Sequence, residues 1–186
     1  VALKNAGFSV VSLANNHTYD FGLKSFDYTR LKLNEAGILA SGHPKKAAYE
    51  YVITDTWKGN RISLVSFNPF DGTFKLEEAA SLIQTVKANE QSFIVVNMHG
   101  GVEYELTSSK DQRTWAHTFI DSGADLVIGH HPHVTQEVEK YNDRIIFYSL
   151  GNFVFDQYLS KETQEGLLVG LTITQDELRY SILPTE

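Results

Sequence analysis

Residues 123–134 read GADLVIGHHPHV. A glycine opens the stretch, the apolar run DLVIG (125–129) follows, and three histidines close it at His130, His131 and His133. A run this short, apolar and bounded by turn residues predicts a buried strand with a polar tip. Two other stretches share the layout. FSVVSLA (8–14) follows Gly7 and runs into NNH (15–17), and SFIVVNM (92–98) runs into HGG (99–101). Helical patterns precede or separate these strands, so parallel neighbours are expected, with their C-terminal ends along one edge. Open α/β sheets place their ligand sites at that edge.

The surrounding sequence extends the pattern. VALKNAG reads as the end of a helix. Leu23, Phe26, Leu31 and Leu33 mark a helix over 23–36, closed by Gly37. Leu76, Ala79, Ala80, Ile83 and Val86 mark one face of a second helix, and 109–122 reads as a third, stopped by Gly123. YEYVITDTW (49–57) and RISLVSF (61–67) flank KGN as a hairpin. TQEVEKY and RIIFYSL flank NDR as another. GLLVGLTIT (166–174) and LRYSIL (178–183) finish the chain as strands. Strand–helix–strand units mixed with hairpins predict an α/β protein with a mixed sheet or two sheets packed together.

The chain has 186 residues, enough for one domain with a real core, and 1–186 is read as a single unit. It opens on Val1 and reads as a fragment or a mature domain. No apolar run approaches the roughly 20 residues that cross a bilayer. There is no cysteine, which excludes disulfides, thiolate metal sites and cysteine nucleophiles in these residues. The net charge of −7 disfavours a nucleic-acid surface. A polyanionic ligand would need local positive charge, which a divalent ion can supply.

The histidine tips are the candidate chemistry. His131 and His133 alternate about Pro132, which is expected to hold the segment extended with both rings on one side. Paired imidazoles suit zinc, manganese or iron. Such a pair, NNH or HGG alone has an ordinary turn explanation, and the convergence of three tips is what favours a metal. His43, in SGHP, reads as a loop residue, and His117 as part of a packed or solvated helix face. In SLGNFVFDQ (149–157), Gly151-Asn152 reads as a β-bulge with a capping asparagine. The alternative brings Asn152 or Asp156 to the rim of the site.

Four ordered strings, SLANNHTYDFG, VVNMHGGVEYE, GADLVIGHHPHVTQ and IIFYSLGNFVFDQ, together resemble the bacterial capsule-synthesis CapA family. That family includes the PgsA proteins of poly-γ-glutamate synthesis and sits in the calcineurin-like metallophosphatase superfamily. The resemblance runs from the start of the chain to about Asp156. It implies two packed mixed β-sheets flanked by helices, with this chain the C-terminal portion of the domain. It also implies a site for two divalent ions, manganese, zinc or iron. By the same resemblance Asn16, His99 and His131 would hold one ion and His133 the other, and His17 would be the general acid. His130 becomes the inserted residue, supporting the ligands from behind. Glu103, Asn152 and Asp156 fall at the rim.

The superfamily's opening carboxylate segments have no match here and are expected upstream of Val1. Four neutral ligands leave two close cations to repel each other strongly. Of the nearby acids Asp20, Glu103, Glu105 and Asp156, none is expected to bridge them. The resemblance implies poly-γ-glutamate or a phosphate-containing substrate, and partner subunits of a membrane capsule-synthesis complex. It places the protein at the extracytoplasmic face of the bacterial membrane. Metal-dependent hydrolysis or transfer is one function it allows. A non-catalytic scaffold or polymer-binding subunit is a second, and a stand-alone phosphoesterase a third, because a fold does not establish an activity.

Overall fold

The computed structural model describes residues 2–70, 72–174 and 178–185. It begins with α1 (Ala2–Asn5), β1 (Val10–Ser12), α2 (Gly22–Glu35) and β2 (Leu39–Ser41). The hairpin β3 (Ile53–Trp57) and β4 (Asn60–Phe67) follows, then α3 (Leu76–Glu90), β5 (Phe93–His99), α4 (Lys110–Asp121) and β6 (Leu126–His130). A second hairpin, β7 (Val138–Tyr141) and β8 (Arg144–Phe147), precedes the strands β9 (Gly166–Ile173) and β10 (Leu178–Thr185).

One six-stranded sheet, ordered β3-β4-β5-β6-β8-β7, organises the molecule. β4, β5, β6 and β8 run parallel, and the hairpin partners β3 and β7 close the two edges antiparallel. Strand alternation divides the apolar residues between its faces. Ile94, Val96, Met98, Val127 and Ile146 face the helices, meeting Ala79, Ile83 and Val86 of α3 and Ala116 and Phe119 of α4. Val95, Leu126 and Phe147 point the other way and pack on Val169, Leu171 and Tyr180 of the β9–β10 pair. Burying each such large side chain is worth ~1.5–3 kcal/mol, which explains why the central runs are apolar on both faces. The helices agree with this placement. α3 carries Glu77 and Glu78 in its first turn and Lys87 in its last, matching the helix dipole. α4 opens with a capping box in which Ser109 and Gln112 satisfy each other's backbone N–H groups.

The expected α/β class with a mixed sheet and flanking helices is present. Among the described residues, the strands beyond the six-stranded sheet form two separate two-stranded sheets, the parallel pair β1–β2 and the longer antiparallel pair β9–β10. The connection at 175–177 lies outside the described residues. Four local expectations differ. β1 does not join β5 and β6 in one sheet; it pairs with β2 instead. That pair docks on β4, with the Ser41 hydroxyl donating to the Leu64 carbonyl. At Gly42 a Cβ would come 2.6 Å from Ser66 Cβ and 2.7 Å from Ala14 Cβ, so only glycine permits this approach. Residues 49–51 form a turn of 3₁₀ helix rather than strand, because the ladder begins at Ile53. Of the apolar positions on α2, only Phe26 is buried, whereas Leu23 and Leu31 are exposed. His43 is not a loose loop residue; it is buried among Phe26, Tyr51 and Tyr19.

Candidate metal centre

β5 and β6 pair in register so that His99 lies opposite His130, which brings two of the histidine tips to one edge. Asp125, at the far end of the same stretch, is an anchor. Its buried carboxylate accepts from the Ile94 N–H at 3.0 Å and pairs with Lys87 and Arg144. The third tip arrives from β1. Asn16 Oδ1 accepts from His99 Nε2–H at 2.9 Å, joining the small sheet to the large one across the cleft.

After His130 the chain turns sharply. His131 has φ +102° and His133 φ +62°, both left-handed, so Pro132 does not hold an extended segment as expected. Non-glycine residues there cost ~1–3 kcal/mol each, and such strain gathers at functional sites. The turn drives the His131 ring inward, where the residue is only 4% exposed. Both of its ring nitrogens are buried with no hydrogen-bond partner. A neutral imidazole has one N–H and one lone pair to satisfy, so two orphaned nitrogens at a cleft are costly unless something else occupies one of them. The ring lies 4.3 Å from that of Phe70 and 5.0 Å from that of His99.

His133 is oriented differently. Its Nδ1–H donates to Asn152 Oδ1 at 2.9 Å, while Asn152 Nδ2 donates to the Thr163 carbonyl. That network fixes the amide orientation and leaves the Nε2 lone pair of His133 free. Asn152 therefore sits at the rim, the alternative to a purely local bulge. Phe155 and Tyr104 flank the His133 ring.

Glu103 completes a group with these two histidines. One ligand atom from each of Glu103, His131 and His133 lies within 4.8 Å of the others. Its loop is tied to the histidine turn by the Tyr104 N–H, which donates to the Pro132 carbonyl at 2.8 Å. Gly101 makes the bend possible. It has φ +130°, and a Cβ there would strike the buried Gln112 side chain at 2.6 Å.

A hydrogen-bonded arm forms the other side. His17 Nδ1–H donates to Asp20 at 2.9 Å, and His17 Nε2 accepts from Asn16 Nδ2 at 3.2 Å. His17 is exposed, as a proton donor must be to reach a ligand. A cleft of about 420 Å³ opens between the two sides, lined by His99, His130, His131 and His133 and walled by Phe8 and Val11. Burial, with the neighbouring histidines, pushes His99 down to about 3, and burial alone pushes His130 down to about 4. Burial also lowers His131, against the pull of Glu103. These three are therefore neutral imidazoles at neutral pH, the state that binds metals.

The donors present fit a divalent transition ion. They include a buried imidazole with orphaned nitrogens, a second imidazole with its lone pair held open, and a carboxylate. Asp156 is exposed and outside that group, and His130 lines the cleft from the strand end. Two contributions exceeded the sequence reading: Glu103 as more than a rim residue, and Asp20 as the group that holds His17. The spacing of HGGVE carries no local sign of the first, because a long-range hydrogen bond brings Glu103 in.

A family model described as bacterial capsule synthesis protein PGA_cap matches residues 1–157. The chain belongs to that family. A capsule biosynthesis protein CapA of Bacillus anthracis is 36% identical across 90% of this chain and 45% of its own length. A PGA biosynthesis protein CapA of Bacillus subtilis (strain 168) is 32% identical across 99% of this chain and 52% of its own. The chain thus spans about half the length of the curated relatives it matches. A crystal structure of a hypothetical protein from Thermus thermophilus superposes with a TM-score of 0.66. It covers 98% of this chain and 77% of the other at 16% identity, a likeness of fold. The four strings that carried the resemblance all lie within the family match, whereas β9 and β10 lie beyond it.

Proposed function

We propose that this chain is the metal-binding part of a protein of poly-γ-glutamate capsule synthesis. It acts at the outer face of the bacterial membrane with other subunits of the synthesis complex, hydrolysing or transferring at an anionic group of its substrate. The names of the two Bacillus relatives support the pathway. The observation that carries the metal is His131, buried with both ring nitrogens unpartnered beside His133 and Glu103.

His131 and His133 would hold the ion, with Asn16 and His99 as the further ligands that the family resemblance adds. A second ion, manganese, zinc or iron like the first, needs carboxylates beyond those four neutral donors. A bound divalent ion supplies Lewis acidity and the positive charge that a chain of net charge −7 needs to hold a polyanion. Asn152 keeps the Nε2 of His133 pointed into the cleft. Asp20 accepts from His17 Nδ1–H and so orients the ring; for His17 to deliver a proton to a leaving oxygen from Nε2, the Asn16 Nδ2 contact with that nitrogen gives way. The walls formed by Phe8 and Val11 limit water on one side.

The test is metal content and turnover measured together. The purified chain is expected to carry divalent metal and to cleave a γ-glutamyl polymer or a phosphoester from a panel. Chelation should remove the activity, and His17→Ala should reduce it about 10²-fold or more. Protein with no bound metal after metal-replete expression would sink the reading.

A second reading, an accessory subunit without turnover, draws on the apolar segment beside the site. Phe153, Val154, Phe155, Tyr158 and Leu159 are all exposed, Val154 to 85%. Large exposed apolar stretches mark surfaces that partners cover. Capsule production undiminished by His17→Ala in cells favours this reading.

A further inference from the structure

We infer that a crevice at the end of β4, edged by Lys45, Lys46 and Lys75, is a separate anion site that holds one carboxylate of a polycarboxylate chain running out of the cleft. This rests on the proposed function, in which the cleft works on an anionic polymer, and adds where the neighbouring unit of that polymer is held. The crevice itself works without a metal.

Strand register sets its position. Phe67 pairs with Met98, so Asn68, the first residue after β4, comes level with His99 at the end of β5. Neighbouring strands lie about 4.8 Å apart, so the crevice borders the cleft along one sheet edge. Tyr19 links the crevice to the hydrogen-bonded arm. It stands two residues past His17, and the Lys45 ammonium lies 4.9 Å from its ring centre. A γ-linked glutamate has two more backbone carbons than an α-linked one and spans roughly 6 Å when extended. With one unit at the histidines, the next carboxylate reaches the end of β4.

Two lining residues carry buried polar atoms left without partners. His43 and Asn68 are each 3% exposed. His43 Nδ1 accepts from the Lys45 N–H at 3.0 Å, which puts the ring proton on Nε2, and that N–H has no acceptor. Asn68 Nδ2 donates to the Pro44 carbonyl at 3.2 Å, and its Oδ1 has no donor. Leaving such atoms unpaired is costly. A γ-glutamyl unit offers the complement, since its carboxylate accepts and its amide N–H donates. The crevice floor, about 10 Å³, admits one water-sized group, so a carboxylate oxygen or a bridging water enters and the rest stays at the mouth. The mouth carries the charge. Lys45 and Lys46 are adjacent and exposed, and among the described residues neither has a carboxylate partner. Lys32, Lys87 and Lys140, by contrast, pair with Glu35, Asp125 and Asp143. Glu78, the acid in the lining, is offset by Lys75 at 2.9 Å. α3 also opens here without a side-chain cap, adding the positive end of its dipole.

Fluorescence anisotropy of a labelled γ-linked glutamate oligomer on the purified chain, at about 0.15 M salt and with chelator present, tests this. The chain should bind the oligomer, and Lys45→Gln with Lys46→Gln should weaken binding by about tenfold. Both lysines are exposed, so the circular dichroism spectrum should not change. Lys58→Gln with Lys140→Gln makes the same charge change beside the β3–β4 and β7–β8 turns, at the opposite sheet edge, and should stay within about threefold. Unlabelled oligomer should displace the probe at lower concentration than inorganic tripolyphosphate does; the reverse order overturns the carboxylate assignment. The Lys45 and Lys46 pair of substitutions staying within threefold, or the control pair losing as much, overturns the inference. Oligomer that binds only when Mn²⁺ is added overturns it too and leaves the metal reading standing. A chain that takes up no metal yet holds the oligomer through Lys45 and Lys46 sinks the metal reading alone.

Discussion

Acidifying the metal-free protein from pH 8 to pH 5 should destabilise it by about 4 kcal/mol through His99 and His130 alone. Their folded values are about 3 and about 4, against 6.5 for the free side chain. Burial is the first cause for each, and the other site histidines add to it at His99. The sign follows from proton counting. Between pH 6.5 and those lower values the unfolded chain binds protons that the folded chain refuses, so stability rises with pH and falls on acidification. pH 5 lies about 1.5 units below the unfolded value of 6.5 and still above both folded values. At about 1.4 kcal/mol per unit, each costs about 2 kcal/mol. His43 and His131, also lowered by burial, act in the same direction. The carboxylates Glu137 and Glu139, whose ordinary value is 4.5, act mainly further down, so pH 5–8 isolates the histidines. For a chain of this length the shift corresponds to a loss of roughly 8–16 °C in Tm. Denaturant unfolding at half-unit pH intervals, with chelator present, measures it. His130→Gln should remove about half of the expected slope. A stability profile flat between pH 8 and pH 5 would refute the reasoning, because it requires the buried imidazoles to titrate as free ones do.

Three further outcomes follow from particular contacts. Gly101→Ala places a Cβ against Gln112 at a φ that alanine resists, and should cost about 2 kcal/mol or more in urea unfolding. Asn152→Ala frees the His133 ring and should weaken metal affinity about 10–100-fold by calorimetry. Ser109→Ala removes half of the capping box on α4 and should cost about 1 kcal/mol in the same unfolding assay, with metal affinity unchanged.

Local chemistry made most of the fold legible. The apolar runs at 92–98 and 125–129 became β5 and β6, and the NDR turn became the tip of the β7–β8 hairpin, with Asn142 and Asp143 at positive φ. The periodic apolar face at Ala79, Ile83 and Val86 became the buried side of α3. What local pattern could not carry was long-range. Nothing near residues 8–14 signals that β1 pairs with β2 rather than β5, since that depends on Gly42 lying against Ser66 and Ala14. His43 looked like a turn residue because its aromatic cage comes from α2 and the 49–51 turn.

The site divides the same way. Clustering of histidines at strand tips pointed to the cleft, and the structure brings His99, His130, His131 and His133 to its wall and Asn16 to within a hydrogen bond of His99. The left-handed turn at His131 and His133 was not legible, because proline fixes its own φ and carries no sign of a left-handed residue on either side. Glu103 was legible only as a nearby acid. Its approach depends on the Tyr104–Pro132 bond, between residues 28 positions apart.

Crystals of the chain soaked in Mn²⁺ and measured for anomalous scattering test the ligand assignment most directly. A peak in ligand range of one nitrogen each of His131 and His133 is the predicted result. No peak in the cleft would contradict it.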